Sequence, residues 1–287
     1  MIPAGVLYLV GTPIGNLGDL TPRGAETLAA VSVIAAEDTR RTAPLLERIG
    51  ARAPLLSFHA HNEAKRVPEL MERLARGESV AVVSDAGNPG ISDPAERLVR
   101  AAAAGGIRIV PVPGPSAFLA ALVAGGLPTG SFRFDGYPPA RRKARRDFLA
   151  GLRAERSTLV LYESPKRVAA LMEDVREILG DRRVVLAREL TKKFEEFFRG
   201  AASEASAKLS ADPPRGEFTV LLEGAGEDEP LPAGRLIAMV REEVAAGSSL
   251  RDAVRVAARI GLWKEQEVYR LVRNGEGEPF LDRPPAR

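Results

Sequence analysis

The chain has no cysteine among its 287 residues. That excludes disulfide staples, thiolate nucleophiles and cysteine-ligated zinc, and it suits a reducing compartment. Histidine is nearly as scarce. His59 and His61 are the only two, and their spacing excludes the helical i, i+4 pair of a metalloprotease. Only 7 of the 41 basic residues are lysine, so the basic chemistry is mostly guanidinium, which suits phosphate. A genomic composition bias would give the same skew. Long apolar runs are missing too: the longest, 117–127, is too short to span a membrane. No basic leader precedes the first apolar segment, so no signal peptide is expected and the chain is read as cytoplasmic. What remains is a composition of 45% hydrophobic and 28% charged residues with a net charge of +3, typical of a soluble globular protein. The charge permits an acidic partner such as RNA without requiring one. The length accommodates two domains and a small third.

The chain is organised around residues 80–94, VAVVSDAGNPGISDP. Its first residues suit a fully buried strand, and Asp85 falls where that strand should end. Gly87, Asn88-Pro89 and Gly90 follow as a loop, and Asp93-Pro94 supplies a helix N-cap with proline at the first helical position. Together they place bare backbone and a carboxylate at the carboxyl edge of a sheet, where open α/β sheets bind small ligands.

Further strands are expected at 5–10, 33–36, 55–58 and 107–110, alternating with helices from Thr21-Pro22 to about residue 31, over 63–76 and over 95–104. This alternation calls for a mostly parallel sheet with helices on both faces. The pattern changes after the glycine-rich stretch 125–130. Strands at 132–137, 158–162, 184–188, 194–198 and 217–222, with helices at 140–155 and up to residue 179, predict an antiparallel or mixed sheet. An acidic, proline-containing linker at 227–232 precedes three helical patterns at 233–246, 249–260 and 263–273. The fold class is therefore α/β: one domain over 1–128, a second over 129–226 that closes a cleft, and a small helical module over 233–287.

Four loops follow strand ends of the first sheet, at 11–18, 37–41, 84–93 and 111–116, and a parallel sheet brings them to one edge. One reading is a nicotinamide site, because Asp38 lies 20 residues beyond Gly18, the spacing of an acid on a ribose hydroxyl. Against it, the glycines follow GxxxGxxG, Pro13 stiffens the loop, and no G-x-x-x-x-G-K-[ST] occurs. The acids at this edge, Glu37, Asp38, Asp85 and Asp93, oppose a polyphosphate and tolerate a cation such as a sulfonium. The residues by themselves only lean towards the second reading.

Eight segments occur in order: VGTPIGNLGDLTPRG, AAEDTRRT, FHAHNE, VSDAGNPGISDP, VPGPSA, LYESPKR, ARELTKKFEE and GEFTVLLEG. Together they resemble the ribosomal RNA small subunit methyltransferase I family of the tetrapyrrole methylase superfamily, over nearly the whole chain. The resemblance implies a two-domain tetrapyrrole-methylase-like fold, S-adenosylmethionine bound between the domains, and a homodimer. It further implies 2'-O-methylation of cytidine 1402 in 16S rRNA of the small ribosomal subunit. It assigns cofactor contacts to Thr12, Pro13, Gly15 and Asn16, to Ser84, Asp85, Ala86 and Gly87, to Pro113, Gly114 and Ser116, and to Tyr162, Glu163 and Ser164. Asp93 is read as a helix cap, and Ser116 as a cap that also meets the cofactor. Asn88 stands where the family usually has threonine, Ala95 where it has glycine and Lys166 where it has histidine. The last departure means that no imidazole is required near Glu163.

Glu37, Asp38, His61 and Glu163 are the candidate bases for the acceptor hydroxyl. Alignment supplies about 7–11 kcal/mol and a base about 10²–10⁴-fold, so positioning dominates. Arg40 and the cluster Arg141, Arg142, Lys143, Arg145 and Arg146, just past the domain hinge, are the candidate RNA contacts. A bare charge run is equally a solvated face. Arg251, Arg255 and Arg259 share one helical face and suit packing as well as binding. Three rival readings stand: a methylase of a tetrapyrrole or other small molecule, a dinucleotide-dependent oxidoreductase, and a non-catalytic RNA-binding protein.

Overall fold

The computed structural model describes residues 5–226 and 230–274, so part of the 227–232 linker and the end of the helical module lie outside the described residues. β1 (Val6–Val10), β2 (Val33–Ala36), β3 (Leu55–Ser57), β4 (Val80–Val83) and β5 (Arg108–Val112) form a wholly parallel sheet in the order β3-β2-β4-β1-β5. Alternate side chains go to opposite faces. Val6, Tyr8 and Val10 meet Leu28 of α1 (Pro22–Ala30) and Leu46 of α2 (Thr39–Arg48). Leu7, Val80 and Val82 meet Leu70 and Leu74 of α3 (Glu63–Ala75) and Leu98 of α4 (Glu96–Ala104). Burial on both faces explains why these strands read as continuous apolar runs.

The strand order also removes the nicotinamide reading. In the dinucleotide fold β1 adjoins β2, so the acid ending β2 faces the glycine loop after β1. Here β4 lies between them, and the end of β2 faces the loop after β4 instead.

The second sheet has the order β6-β7-β10-β8-β9, formed by β6 (Phe132–Gly136), β7 (Thr158–Glu163), β8 (Arg183–Arg188), β9 (Glu196–Ala201) and β10 (Phe218–Leu222). Only the β6–β7 pair is parallel. One face is covered by α6 (Arg142–Gly151), α7 (Pro165–Leu179) and α8 (Ala202–Ala211). The other is covered by α5 (Ala117–Gly125), whose Ala121 and Leu122 pack on Val160, Val185 and Leu221. α5 follows directly from β5 yet lies on the second sheet. Arg199 of β9 fixes its end by donating to the carbonyls of Ala124 at 2.7 Å and Gly125 at 3.0 Å, where the helix dipole favours a cation.

Two local expectations are corrected, and one helix was not expected. α4 begins at Glu96 with Ala95 in the capping position, so Asp93 does not cap it. α8 occupies a stretch with no strong apolar stripe, since its buried residues are only Ala202, Ala205 and Leu209. The basic cluster is largely spent on α7. Arg145 is buried and pairs with the buried Asp174 at 2.7 Å, so it is not available to RNA. Arg146 reaches Asp174 at 2.9 Å and also bonds Glu177, and Arg142 lies 3.8 Å from Asp174. Arg141 and Lys143 remain exposed.

The last three helices, α9 (Ala233–Ala245), α10 (Leu250–Gly261) and α11 (Glu265–Asn274), enclose a small core of Leu236, Val240, Val254, Ala257 and Val268. Arg255 pairs within its own helix with Asp252 at 3.1 Å. Among the described residues no helix is long and apolar enough to cross a membrane.

Removing one partner of a buried pair leaves an uncompensated charge. Arg145→Ala is expected to destabilise the fold by about 3 kcal/mol, the low end of the range because Arg146 still reaches Asp174. Arg142→Ala, which removes an exposed guanidinium lying 3.8 Å from an Asp174 that keeps Arg145 and Arg146, should cost less than about 1 kcal/mol. Urea unfolding compares them, and equal losses would contradict the structural role given to Arg145.

Candidate active site

β1 and β5 end side by side, with Val10 opposite Val112, and a glycine follows each within two residues, Gly11 and Gly114. A Cβ on Gly11 would lie 2.6 Å from both the Gly114 backbone and Asn88 Oδ1, and one on Gly114 would lie 2.7 Å from Gly11. No larger residue fits either position without moving backbone. Thr12 and Gly87 then exchange backbone hydrogen bonds of 2.9 and 3.0 Å, with Gly87 in left-handed backbone at φ 82°. The Thr12 hydroxyl donates to the Ser84 carbonyl at 3.0 Å, and Asn88 Nδ2 donates to the Pro115 carbonyl at 3.2 Å. The loops after β1, β4 and β5 thus form one bonded floor.

Beside this floor, between the two sheets, lies a cleft of about 280 Å³, near the lower end of the range for small-ligand sites. The first sheet contributes Ile14, Glu37, Asp85, Ala86, Gly87, Asn88 and Asp93, and the second contributes Tyr137, Tyr162, Ala187, Leu190, Glu217 and Thr219. Glu37 and Asp85 end neighbouring strands and are interlinked. Asp85 N donates to Glu37 Oε2 at 3.3 Å, and Asp38 N donates to Asp85 Oδ1 at 3.0 Å. Arg41 pairs with Asp85 at 3.2 Å, which offsets part of the negative charge. Burial, reinforced by the charge of Glu37 and then of Asp85, pushes the Asp93 carboxyl up to about 7. Burial likewise pushes the Tyr162 hydroxyl up to about 12, so that ring stays neutral. Ser92, beside Asp93, holds left-handed backbone at φ 63° without being glycine, a strain that surrounding structure must sustain.

Of the residues assigned from sequence, Glu37, Asp85, Ala86, Gly87, Ser116 and Tyr162 line the cleft. Thr12, Ser84 and Gly114 build its floor, with Pro113 beside Gly114. Pro13 sits between Thr12 and the cleft-lining Ile14. Gly15 lies under Lys192, whose Cγ a Cβ there would overlap, and Asn16 caps a short 3-10 turn by accepting from Gly18 N at 2.9 Å. Ser116 and Ser164 occupy N-cap positions of α5 and α7 without a side-chain cap bond.

The candidate bases fare differently. Asp38 caps α2 and chelates Arg40 at 2.7 and 3.0 Å, a pairing that holds its carboxyl down at about 2. His61 is exposed on the turn after β3 and does not line the cleft. Glu163 is buried behind the lining and accepts from Ser164 N and Arg167 Nε, both at 2.7 Å. Arg167 in turn donates to the Pro138 carbonyl at 3.1 Å, so Glu163 fixes the loop that carries Tyr137. Sequence reasoning placed Asp93 among the acids of this edge but gave it the role of a cap, and it did not assign Arg41, Tyr137, Leu190 or Glu217 to the cleft. Arg41 belongs to the 37–41 loop, while Tyr137, Leu190 and Glu217 are signalled only by the packing of the two sheets.

The family model described as Tetrapyrrole (Corrin/Porphyrin) Methylases matches residues 6–206, and the chain belongs to that family. Its relatives include Ribosomal RNA small subunit methyltransferase I of Synechocystis sp., 42% identical over 270 residues, or 93% of this chain and 97% of that protein. The protein of the same name from Xylella fastidiosa is 45% identical over 262 residues, 89% of this chain and 96% of that one. That of Escherichia coli O157:H7 is 43% identical over 279 residues, 95% and 96% of the two chains. Among solved structures, a cobalt precorrin-4 methyltransferase shares the fold with a TM-score of 0.59 at 19% identity, over 78% of this chain and 98% of that chain. Uroporphyrin-III-C-methyltransferase from Thermus thermophilus gives 0.56 at 22%, over 76% and 94%.

Asp93 binds its proton more tightly in the folded chain than at its ordinary value near 3.8. Folded stability therefore falls as pH rises from about 4 to about 7 and stays lower above that. Asp93→Asn is expected to raise the urea midpoint at pH 8 but not at pH 4. An effect of equal size at both pH values would contradict the perturbed carboxyl.

Proposed function

We infer that the chain is an S-adenosylmethionine-dependent methyltransferase acting on the ribose 2'-oxygen of cytidine 1402 in 16S rRNA of the small ribosomal subunit, in the cytoplasm. The observation that carries this reading is similarity over 93% of the chain to a protein named as a small-subunit rRNA methyltransferase.

The cleft suits the cofactor. The Asp85 carboxylate and the backbone of Ala86 offer partners for ribose hydroxyls and an amino group, and Ile14, Leu190 and Tyr162 offer apolar surface to adenine. Glu37, Asp85, Asp93 and Glu217 favour a cation over a polyphosphate. When bound, the cofactor supplies an electrophilic methyl group on a sulfonium.

The chain's own work is to hold the acceptor ribose in line and to take its proton. Of the candidate bases Glu37 alone lines the cleft, and Asp93 beside it, titrating near 7, is matched to accepting a proton at neutral pH. We therefore assign the base to the Asp93–Glu37 pair, and to Glu163 the positioning of Tyr137 through Arg167. Arg141 and Lys143, together with Arg40, stay as surface contacts for phosphate.

A homodimer is proposed through α5. Leu119 and Val123, one helical turn apart, are 45% and 76% exposed on a helix that is otherwise apolar. A second copy of this chain would cover that stripe. Leu119→Glu with Val123→Glu should halve the mass measured by light scattering, and an unchanged mass would move the interface elsewhere.

The activity is tested with tritiated S-adenosylmethionine and small subunits lacking their native methylation. An alkali-resistant labelled dinucleotide containing cytidine is expected. Tight cofactor binding with no label in RNA would leave a small-molecule methylase as the better reading. In the same assay kcat/KM should rise with pH and level off above about 7, and Asp93→Asn should lower it by about 10²–10⁴-fold and abolish the rise. A profile unchanged in the variant would remove Asp93 as the base.

A further inference from the structure

The connection between β8 and β9, residues 189–195, presents an aromatic ring to solvent. Phe194 is 68% exposed, and Lys193 Nζ lies 5.6 Å from the centre of its ring. The backbone beneath is strained. Glu189 and Thr191 hold left-handed conformations, φ 50° and 65°, without being glycine. Such strain persists only where neighbours over-determine it.

Here they do. Glu189 Oε1 accepts from Lys192 Nζ at 2.9 Å and from Glu217 N at 3.0 Å, and Lys192 Nζ also reaches Glu217 Oε2 at 2.9 Å. Thr191 N donates to Glu195 Oε2 at 2.7 Å. The Lys192 stem lies against Gly15 of the first loop, while Leu190 and Glu217 line the cleft. The loop therefore spans from one sheet to the other, and its anchored backbone carries the exposed Phe194 four residues past the cleft-lining Leu190.

We propose that Phe194 and Lys193 form a stacking platform for an unpaired nucleotide of the strand that carries the acceptor ribose. The proposal rests on the RNA methyltransferase reading and adds a contact that reading does not contain. A ribose can enter a cleft of about 280 Å³ only if its nucleotide leaves the stack. The neighbouring base then loses a π-face, and an exposed, pre-positioned ring restores one for any base. A lysine over the same ring is placed for the adjoining phosphate. Within the 141–146 cluster the equivalent charge at Arg145 and Arg146 is already consumed by Asp174 and Glu177.

The test compares wild type with Phe194→Ala and Phe194→Trp as full chains. Calorimetry with S-adenosylmethionine controls for the fold and the cofactor cleft. Binding is then measured to a short single-stranded RNA and to the same RNA with abasic nucleotides. Phe194→Ala should weaken binding of the intact RNA by about 5- to 150-fold, leave the abasic RNA nearly unaffected, and be rescued by Phe194→Trp. On undermethylated subunits the loss should fall on KM and not on kcat. Equal weakening of both RNAs, or no weakening of either, overturns the platform. Wild type that labels no RNA, with the intact-versus-abasic difference preserved, would refute the methylation reading and leave the platform standing.

Discussion

The close approach of Gly11 and Gly114 is the contact on which the rest of the active end depends. A parallel sheet brings the ends of β1 and β5 together, but side chains ordinarily keep the departing loops apart. Two glycines let the backbones touch, and Asn88 closes over the same point from the third loop. That closure sets the Thr12–Gly87 bridge, which aims the loop after β4 at the second sheet. Above this main-chain floor the Asp85 carboxylate is held by Asp38 N and by Arg41, and its own N–H by the Glu37 side chain. Sites held this way lose little by ordering on binding.

The second constraint is α5, which leaves the first sheet and completes the core of the second. Its interior side chains share one cluster with Ile14 of the first loop and Leu190 of the loop opposite. Floor and far wall are therefore joined through a single packed cluster, with the cleft between them. Into that space the chain places Asp93, held high by burial and by the charge of Glu37, whereas Asp38, outside the lining, is held low by Arg40.

Much of this was legible in the sequence. Strands buried on both faces announce themselves as apolar runs, so all five strands of the first sheet fell within a residue or two of their expected bounds, and the four loops at its edge followed. The second sheet was legible in its strands but not in its order. α8 escaped notice because alanine and serine give a helix no pronounced stripe. Asp93-Pro94 carries the local grammar of a helix start, and nothing local says that the loop after β4 runs on to Ala95. The basic run 141–146 advertises charge, while the Asp174 that neutralises it lies 29 residues past Arg145 on the next helix. Tyr137, Leu190 and Glu217 join the cleft only because α5 folds one sheet against the other, a long-range fact with no local signature.

The most direct measurement is titration calorimetry of S-adenosylmethionine into the wild-type chain and Gly114→Ala, with circular dichroism to verify the fold. A Cβ at that position must push the floor apart, and overpacking of this kind costs about 1–3 kcal/mol. The expected result is binding to wild type that weakens by about 5- to 150-fold in the variant while the secondary structure is retained. Equal affinity in both proteins would show that the glycine floor does not shape the cofactor site, and the account built on it would fail.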